Sequence, residues 1–190
     1  METKREIMKN LSNGFEKLSL TGRLCYLFMC IEKYLTTCYS DRDWTPVAQR
    51  LWQWTNIYWD EGSDMYAPVV PEFLLEFDTY QETNIKSFDG KLSEKEYLIL
   101  KDLYNGITNG SADDEINLVL MLPIDFNNAC ECSAFSDANE ITLMIIDEMQ
   151  QFLSLHNISF PDMNKVRHMT VDAKNGWGNF FDSKYLSIII

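Results

Sequence analysis

The strongest constraint on the fold comes from residues 21–39, because their apolar side chains recur at the spacing of an α-helix. The residues of this stripe are Leu24, Leu27, Phe28, Ile31, Tyr34 and Leu35, with Cys25 and Met29 at its margins. A stripe this wide cannot be covered from one side, which predicts a central helix with neighbours around it. Thr21 is the expected N-cap, since its hydroxyl can accept a bond from a backbone N–H of the first turn.

A second helix is expected to begin at Thr45 and Pro46, because proline fits the first helical position without losing a hydrogen bond. Two of its adjacent faces are apolar. They consist of Val47, Leu51, Trp54 and Tyr58, and of Ala48, Trp52, Thr55 and Trp59. Either both faces are covered by the fold, which is the commoner arrangement, or one is left for a partner. Residues 60–64 are expected to form the terminating turn, with Gly62 at positive φ.

Further helices are predicted along the rest of the chain. Ser93 and Glu96 form a capping box for a helix to about residue 104, and Ser111 is the expected cap of another that is interrupted at Pro123. Residues 137–156 are expected to form a long helix. Its predicted inward-facing residues are Ile141, Met144, Ile145, Met149, Phe152 and Leu153. Shorter helices are expected near residues 4–11, 72–80 and 126–132, with an extended connector at 68–71.

These patterns predict the fold class. The chain has 190 residues, enough for one sizeable core, and few glycines (8) and prolines (5), which disfavours a turn-rich β-fold. The expectation is therefore an all-α protein with a single domain over residues 1–190. It would be a compact bundle of about six to eight helices, with a possible short extended segment after Gly176.

Charge is distributed unevenly along the chain. The formal net charge is −13, yet two segments, residues 51–85 and 102–164, contain no Lys or Arg. The first holds seven acids and the second eleven, so they sum to −18 and the remainder to +5. Such segments indicate either an acidic field that attracts a basic partner or acids simply spread over a solvated surface. An excess of acid argues against binding to nucleic acid or to an anionic membrane.

The sequence contains no motif typical of catalysis or of cofactor binding, so no enzyme and no cofactor are predicted. Cys130 and Cys132 lack a second pair of ligands, and no metal site is expected. The acidic stretch 60–64 lacks the alternating ligands of a calcium loop.

The five cysteines are an odd number and are expected to be free thiols. The first residues, METKREIMKN, have no apolar centre of a signal peptide, and the predicted location is the cytoplasm.

The run LWQWTNIYWDEGSDMY combines Leu-Trp-x-Trp, a short gap, an acidic glycine-containing stretch and an aromatic residue. In this run, and in its layout from Leu20 to Gln151, the chain resembles the all-α immunity proteins of bacterial polymorphic-toxin systems, specifically the sixth-numbered immunity family. The resemblance implies that the protein binds and neutralises a cognate protein toxin in the cytoplasm. A toxin that acts on nucleic acid is commonly basic, which suits an acidic inhibitor.

The resemblance and the charge distribution together define a candidate partner-binding site. Its residues are Trp52, Trp54, Trp59, Asp60, Glu61 and Asp64, together with Asp113, Asp114 and Glu115. Exposed indoles would anchor the contact, while the second acidic group is also explained by stabilisation of a helix N-terminus. Two other functions are open. A small-ligand or peptide-binding regulatory domain would have a cavity between the first two helices, and a carboxylate-based helical enzyme would have paired acids in a pocket.

Overall fold

The computed structural model describes residues 14–54, 59–86, 88, 90–131, 135–181 and 183–190. Within these ranges it contains eight α-helices and no strand, which confirms the all-α prediction. The helices are α1 (Leu20–Cys38), α2 (Thr45–Gln53), α3 (Trp59–Tyr66), α4 (Pro71–Leu74), α5 (Tyr80–Lys86), α6 (Glu94–Tyr104), α7 (Glu115–Cys130) and α8 (Phe135–Leu155). Short 3₁₀ turns occupy Ala67–Val69, Met163–Lys165, Ala173–Gly176 and Ser183–Tyr185. The predicted helix near residues 4–11 lies outside the described residues.

Helix α1 is the centre of the fold, as its wide apolar stripe predicts. It packs against α2, α7 and α8, and nearly all of its side chains are buried. Ser19, rather than Thr21, caps it: the Ser19 hydroxyl accepts a bond from the Gly22 N–H over 3.2 Å. Thr21 instead donates its hydroxyl to the Trp177 carbonyl over 2.7 Å. The segment after α8 therefore runs back along α1 and is held to its start.

A buried arginine joins the beginning of α1 to α8. The Arg23 guanidinium donates to the Phe15 carbonyl over 3.0 Å, to Asn139 Oδ1 over 2.6 Å and to Thr142 Oγ1 over 2.9 Å. Each of these acceptors loses its bonds to water when the protein folds. The Arg23 side chain replaces those bonds and so satisfies polar groups from two parts of the chain. The bundle is thus fixed at this end by directed bonds as well as by apolar packing.

The region after the first tryptophans differs from its prediction. Helix α2 ends at Gln53, and the acidic residues expected to form a turn belong to a new helix, α3. Gly62 lies inside α3 and does not take a positive φ. A Cβ atom at this position would lie 1.9 Å from Trp54 Cδ1. The glycine is therefore needed for the close approach of the Trp54 indole to α3, and not for a reversal of the chain.

Three other boundaries also differ from prediction. The connector expected at residues 68–71 is a 3₁₀ turn followed by the four-residue helix α4. The helix expected over residues 72–80 therefore ends at Leu74, and the next helix, α5, begins at Tyr80. Helix α7 begins at Glu115 with Asp114, not Ser111, as the N-cap residue, and continues through Pro123 to Cys130. Proline removes a single backbone bond, and the buried Leu122 and Phe126 on either side hold the helix together. After Gly176 the described residues form one 3₁₀ turn, Ser183–Tyr185, and no strand, and Leu186 enters the core.

Candidate functional site

The first two candidate residues, Trp52 and Trp54, lie in the core with exposures of 1% and 2%. The Trp52 ring meets Phe28 edge-on at 5.4 Å between centroids, and the Trp54 ring packs against Tyr66 at 5.6 Å. Neither Trp52 nor Trp54 faces a partner, because helices α1 and α3 cover both faces of α2. The expectation that one or two of Trp52, Trp54 and Trp59 lie on a partner surface now concerns Trp59. The side chains of Trp59 and Asp60 lie outside the described residues.

A buried carboxylate accompanies Trp52. Glu32 accepts bonds from Trp52 Nε1 over 2.7 Å, from the Ser187 hydroxyl over 2.6 Å and from the Ile188 N–H over 2.7 Å. Burial raises the pKa of Glu32, and the three donated bonds oppose the rise. All three donors belong to the protein and enclose the carboxylate, so this site joins α1, α2 and the C-terminal segment. It lacks the open approach that a catalytic acid would need.

The two acids of α3 whose side chains are described, Glu61 and Asp64, differ in their surroundings. Glu61 is exposed. Asp64 is also exposed, but its carboxylate accepts a bond from Lys91 Nζ over 2.5 Å. A cation from the basic part of the chain already neutralises Asp64, so Asp64 contributes less to an acidic surface than its sequence position suggested.

The second acidic group, at the start of α7, is largely bound within the fold. Asp113 is exposed, whereas Asp114 accepts a bond from Thr108 Oγ1 over 2.5 Å. Glu115 accepts bonds from Tyr34 Oη over 2.6 Å and from His156 Nε2 over 2.5 Å. Glu115 thus connects the ends of α1, α7 and α8, which gives it a structural role.

The two predicted acidic groups lie on helices that touch. Helix α3 packs against α7, and the Tyr66 hydroxyl donates to the Leu120 carbonyl over 2.7 Å. Their side chains nevertheless have different partners, since Asp64 is bonded to Lys91 and Glu115 to Tyr34 and His156. The structure therefore brings the two helices together, while Asp64 and Glu115 are each bonded elsewhere within the fold.

The outer side of α7 and α8 shows an exposed surface that the sequence did not reveal. Met144 and Ile141, which were predicted to face inward, are 64% and 46% exposed. The α7–α8 face is defined here by Leu118, Asp125, Ile141, Met144, Glu148 and Leu155, all exposed. The correction has a physical reason: α8 is apolar on two sides, and α1 and α7 cover only the side that carries Thr142, Ile145 and Met149. The sequence did contain a signal for this exposure: by helical spacing, the charged Glu148 lies on the same side of α8 as Ile141, Met144 and Leu155.

No basic residue of the described chain neutralises the acids of this face. Within the described ranges, neither Asp125 nor Glu148 forms an ion pair or a hydrogen bond through its side chain. The surrounding helices partly remove water from Asp125, and this desolvation raises the pKa of its carboxyl group. The charged form of Asp125 is therefore less favourable here than in water, and a nearby cation would stabilise it.

Another exposed apolar region surrounds α6, where Leu98 is 57% exposed. A groove of about 470 Å³ runs beside it, between Leu75, Tyr104 and Asn109. Cations border this region: Lys101 Nζ, for example, donates to the Asp78 carbonyl over 2.7 Å. Unlike the α7–α8 face, the α6 region therefore carries charges of both signs.

Metal ligands, reactive thiols and membrane-spanning helices would each indicate another kind of site in the described residues. No group of three or more His, Cys, Asp or Glu side chains there is placed to hold a metal ion. Cys25, Cys30, Cys38 and Cys130 are free thiols, and burial raises the pKa of Cys130 to about 12, which makes it a poor nucleophile. Cys132 lies outside the described part. No helix among the described residues is sufficiently long and apolar to cross a membrane.

Fold and surface together define a helical protein that carries an acidic and aliphatic outer face on two packed helices. Comparison of the chain with protein-family models, with curated proteins and with solved structures finds no match.

Proposed function

We propose that the protein is a cytoplasmic immunity protein that binds and neutralises a cognate, basic protein toxin. The observation that carries the proposal is the separation of charge along the chain. Residues 102–164 contain eleven acids and no Lys or Arg, and they build most of α7 and α8. A surface that served solubility alone would mix both signs. A surface of one sign attracts a partner of the other sign and accelerates their encounter.

The chemistry of the surface also suggests how the partner would be recognised. Carboxylates on an exposed helix attract a basic protein and accelerate its encounter. Apolar side chains among them bury surface and release water when the complex forms. Because Trp52 and Trp54 are buried, the contact would use aliphatic side chains and methionine in place of indoles. The described residues of the LWQWTNIYWDEGSDMY run then build the core and α3.

Co-expression provides the test. The C-terminal domain of a secreted toxin encoded beside this gene is expressed from an inducible promoter, with or without the full-length protein, and surviving cells are counted. The control is an unrelated helical protein of similar size and net charge. Survival only with this protein, together with a purified complex that weakens as salt is raised, is the expected result. Equal killing in both cultures contradicts the proposed function.

A second candidate, a peptide-binding regulatory domain, is favoured by the groove beside α6. This groove is open, has a volume of about 470 Å³ and presents Leu98 and the edge of Phe77 next to polar groups. Mixed apolar and polar linings suit short peptides. If co-expression gives no protection, while the purified protein binds short peptides and Leu98→Lys abolishes that binding, this candidate gains support over the immunity function.

A further inference from the structure

Two lines of exposed side chains run along the outer side of the bundle. On α8, positions 141, 144, 148, 151 and 155 alternate steps of three and four residues, and all five are exposed. On α7, positions 118, 125 and 128 are exposed and 121 is half-buried, with the same alternation. Steps of this kind keep side chains on one side of a helix, and α7 and α8 pack against each other. The two lines therefore form one continuous, shallow surface.

This surface is unusually apolar for an exposed part of a helix. Leu155, Met144, Ile141 and Leu118 are 73%, 64%, 46% and 39% exposed. Single exposed apolar residues need no explanation, but a group on two adjoining helices marks a surface that a partner covers. Met144 is well suited to such a contact, because its flexible thioether adapts to the shape of an opposing surface.

The charge of the surface indicates which partner covers it. Asp125 and Glu148 stand among the apolar residues, and Glu140 and Asp147 adjoin them. In the described part of the chain, none of these four carboxylates is paired with a Lys or Arg. A second copy of the same face would place acids opposite acids, which is unfavourable. A basic surface would pair them.

Two other exposed apolar regions of the described chain have a different charge environment. Leu98 on α6 lies near Lys101 and Lys95, and Phe180 has Lys174 Nζ over its ring at 4.8 Å. A basic partner would meet like charges at both places. The α7–α8 face thus combines aliphatic contact area with acids alone.

We infer that the α7–α8 face is the docking surface of the protein, and that its partner is a basic protein surface that places apolar side chains between Lys or Arg residues. This inference rests on the proposed function, since it names the surface that would contact the toxin. It differs from the sequence-predicted site, of which Trp52 and Trp54 are buried. Met144 lies at the centre of the apolar part, and Asp125 and Glu148 provide the charges that a cation would approach.

The first experiment compares two exposed apolar positions. Met144→Lys and Leu98→Lys make the same charge change at residues that are 64% and 57% exposed, so both variants are expected to fold like the wild type. Circular dichroism and urea unfolding of both full-length variants verify this. Affinity for the purified toxin domain is then measured by titration calorimetry. Met144→Lys is expected to weaken binding by about tenfold or more, and Leu98→Lys by less than about threefold.

The second experiment tests the charges. The double variant Asp125→Asn with Glu148→Gln is compared with Glu76→Gln with Glu94→Gln, which removes two exposed acids from other parts of the bundle. Both variants change net charge equally, so long-range attraction falls similarly. Only the first pair is expected to reduce affinity by a further factor of about ten and to flatten its salt dependence.

The outcomes separate the two proposals. If the toxin binds wild type and Met144→Lys equally, or if Leu98→Lys is the damaging variant, the docking surface is wrong and the proposed function stands. If sedimentation shows a homodimer that Met144→Lys dissociates, the face belongs to a second copy and the inference is overturned. If the toxin binds no form of the protein and no protection is seen, the proposed function fails, and this inference fails with it.

Discussion

Replacement of Trp52 by Phe is expected to destabilise the protein more than replacement of Trp54 by Phe, although both indoles are buried. Trp52 Nε1 donates to Glu32 Oε1 over 2.7 Å, whereas Trp54 Nε1 has no hydrogen-bond partner among the described residues. Both substitutions exchange an indole for a smaller ring, so the loss of buried area is similar and largely cancels in the comparison. The difference between the variants therefore reports the hydrogen bond.

The size of this difference follows from general values for buried polar groups. A hydrogen bond to a charged acceptor contributes about 1.5–3 kcal/mol to the free energy of unfolding. A buried N–H without a partner costs about 1–3 kcal/mol, and Trp54→Phe removes that cost. Trp52→Phe is therefore expected to lower the free energy of unfolding by about 2 kcal/mol or more relative to Trp54→Phe, a large part of the stability of a typical domain.

Equilibrium unfolding in urea, followed by far-UV circular dichroism, measures both free energies, and the slopes show whether the unfolding transition itself has changed. Affinity for a toxin partner should stay the same in both variants under conditions where they are folded. Equal destabilisation would mean that the bond from Trp52 to Glu32 contributes nothing measurable. Weaker binding without loss of stability would place an indole at the interface and refute the assignment of both residues to the core.

Two further predictions concern the same core. Gly62→Ala would normally stabilise a helix by about 0.5–1 kcal/mol, but the new Cβ would lie 1.9 Å from Trp54 Cδ1, and such overpacking costs about 1–3 kcal/mol. The variant should therefore unfold at lower urea, and a gain in stability would contradict this packing. Burial raises the pKa of Glu32 in the folded state above its value of about 4.3 in the unfolded chain. The stability that Glu32 contributes therefore falls as the pH rises from about 4.3 through the raised pKa. Over that pH interval the wild type should lose stability relative to Glu32→Gln. If the free energies of urea unfolding of the two proteins change in parallel with pH, Glu32 is not a buried carboxylate with a raised pKa.

The elements that sequence reasoning predicted well are those whose signals are local. The stripe of α1 repeats over five turns, and the capping box at Ser93 and Glu96 forms as expected, with Ser93 Oγ accepting from the Glu96 N–H. Each signal involves residues within one helix, so no knowledge of the neighbours is required.

The wrong predictions arose where tertiary contacts decide. Gly62 has the usual chemistry of a turn residue, yet the indole of Trp54 determines its role, and no local pattern shows that contact. Ile141 and Met144 are apolar and were therefore placed inside, but α8 has more apolar surface than α1 and α7 cover. Periodicity identifies the faces of a helix, and only the packing of its neighbours shows which face stays exposed.

The candidate acids can be ranked by asking which of them the fold itself explains. Asp64 pairs with Lys91, Asp114 receives a bond from Thr108, and Glu115 connects three helix ends, so each is accounted for without a partner. Asp125 lies in the middle of α7, away from the helix N-terminus, and its desolvation is unfavourable for the charged form. The charged form of Asp125 is less favourable here than in water, and no Lys or Arg of the described chain pairs with it, which supports the proposal that a cation of the partner approaches it. Asp125→Asn should therefore leave or raise the stability of the free protein while it weakens the complex, and a loss of stability without a loss of affinity would show that Asp125 serves the fold.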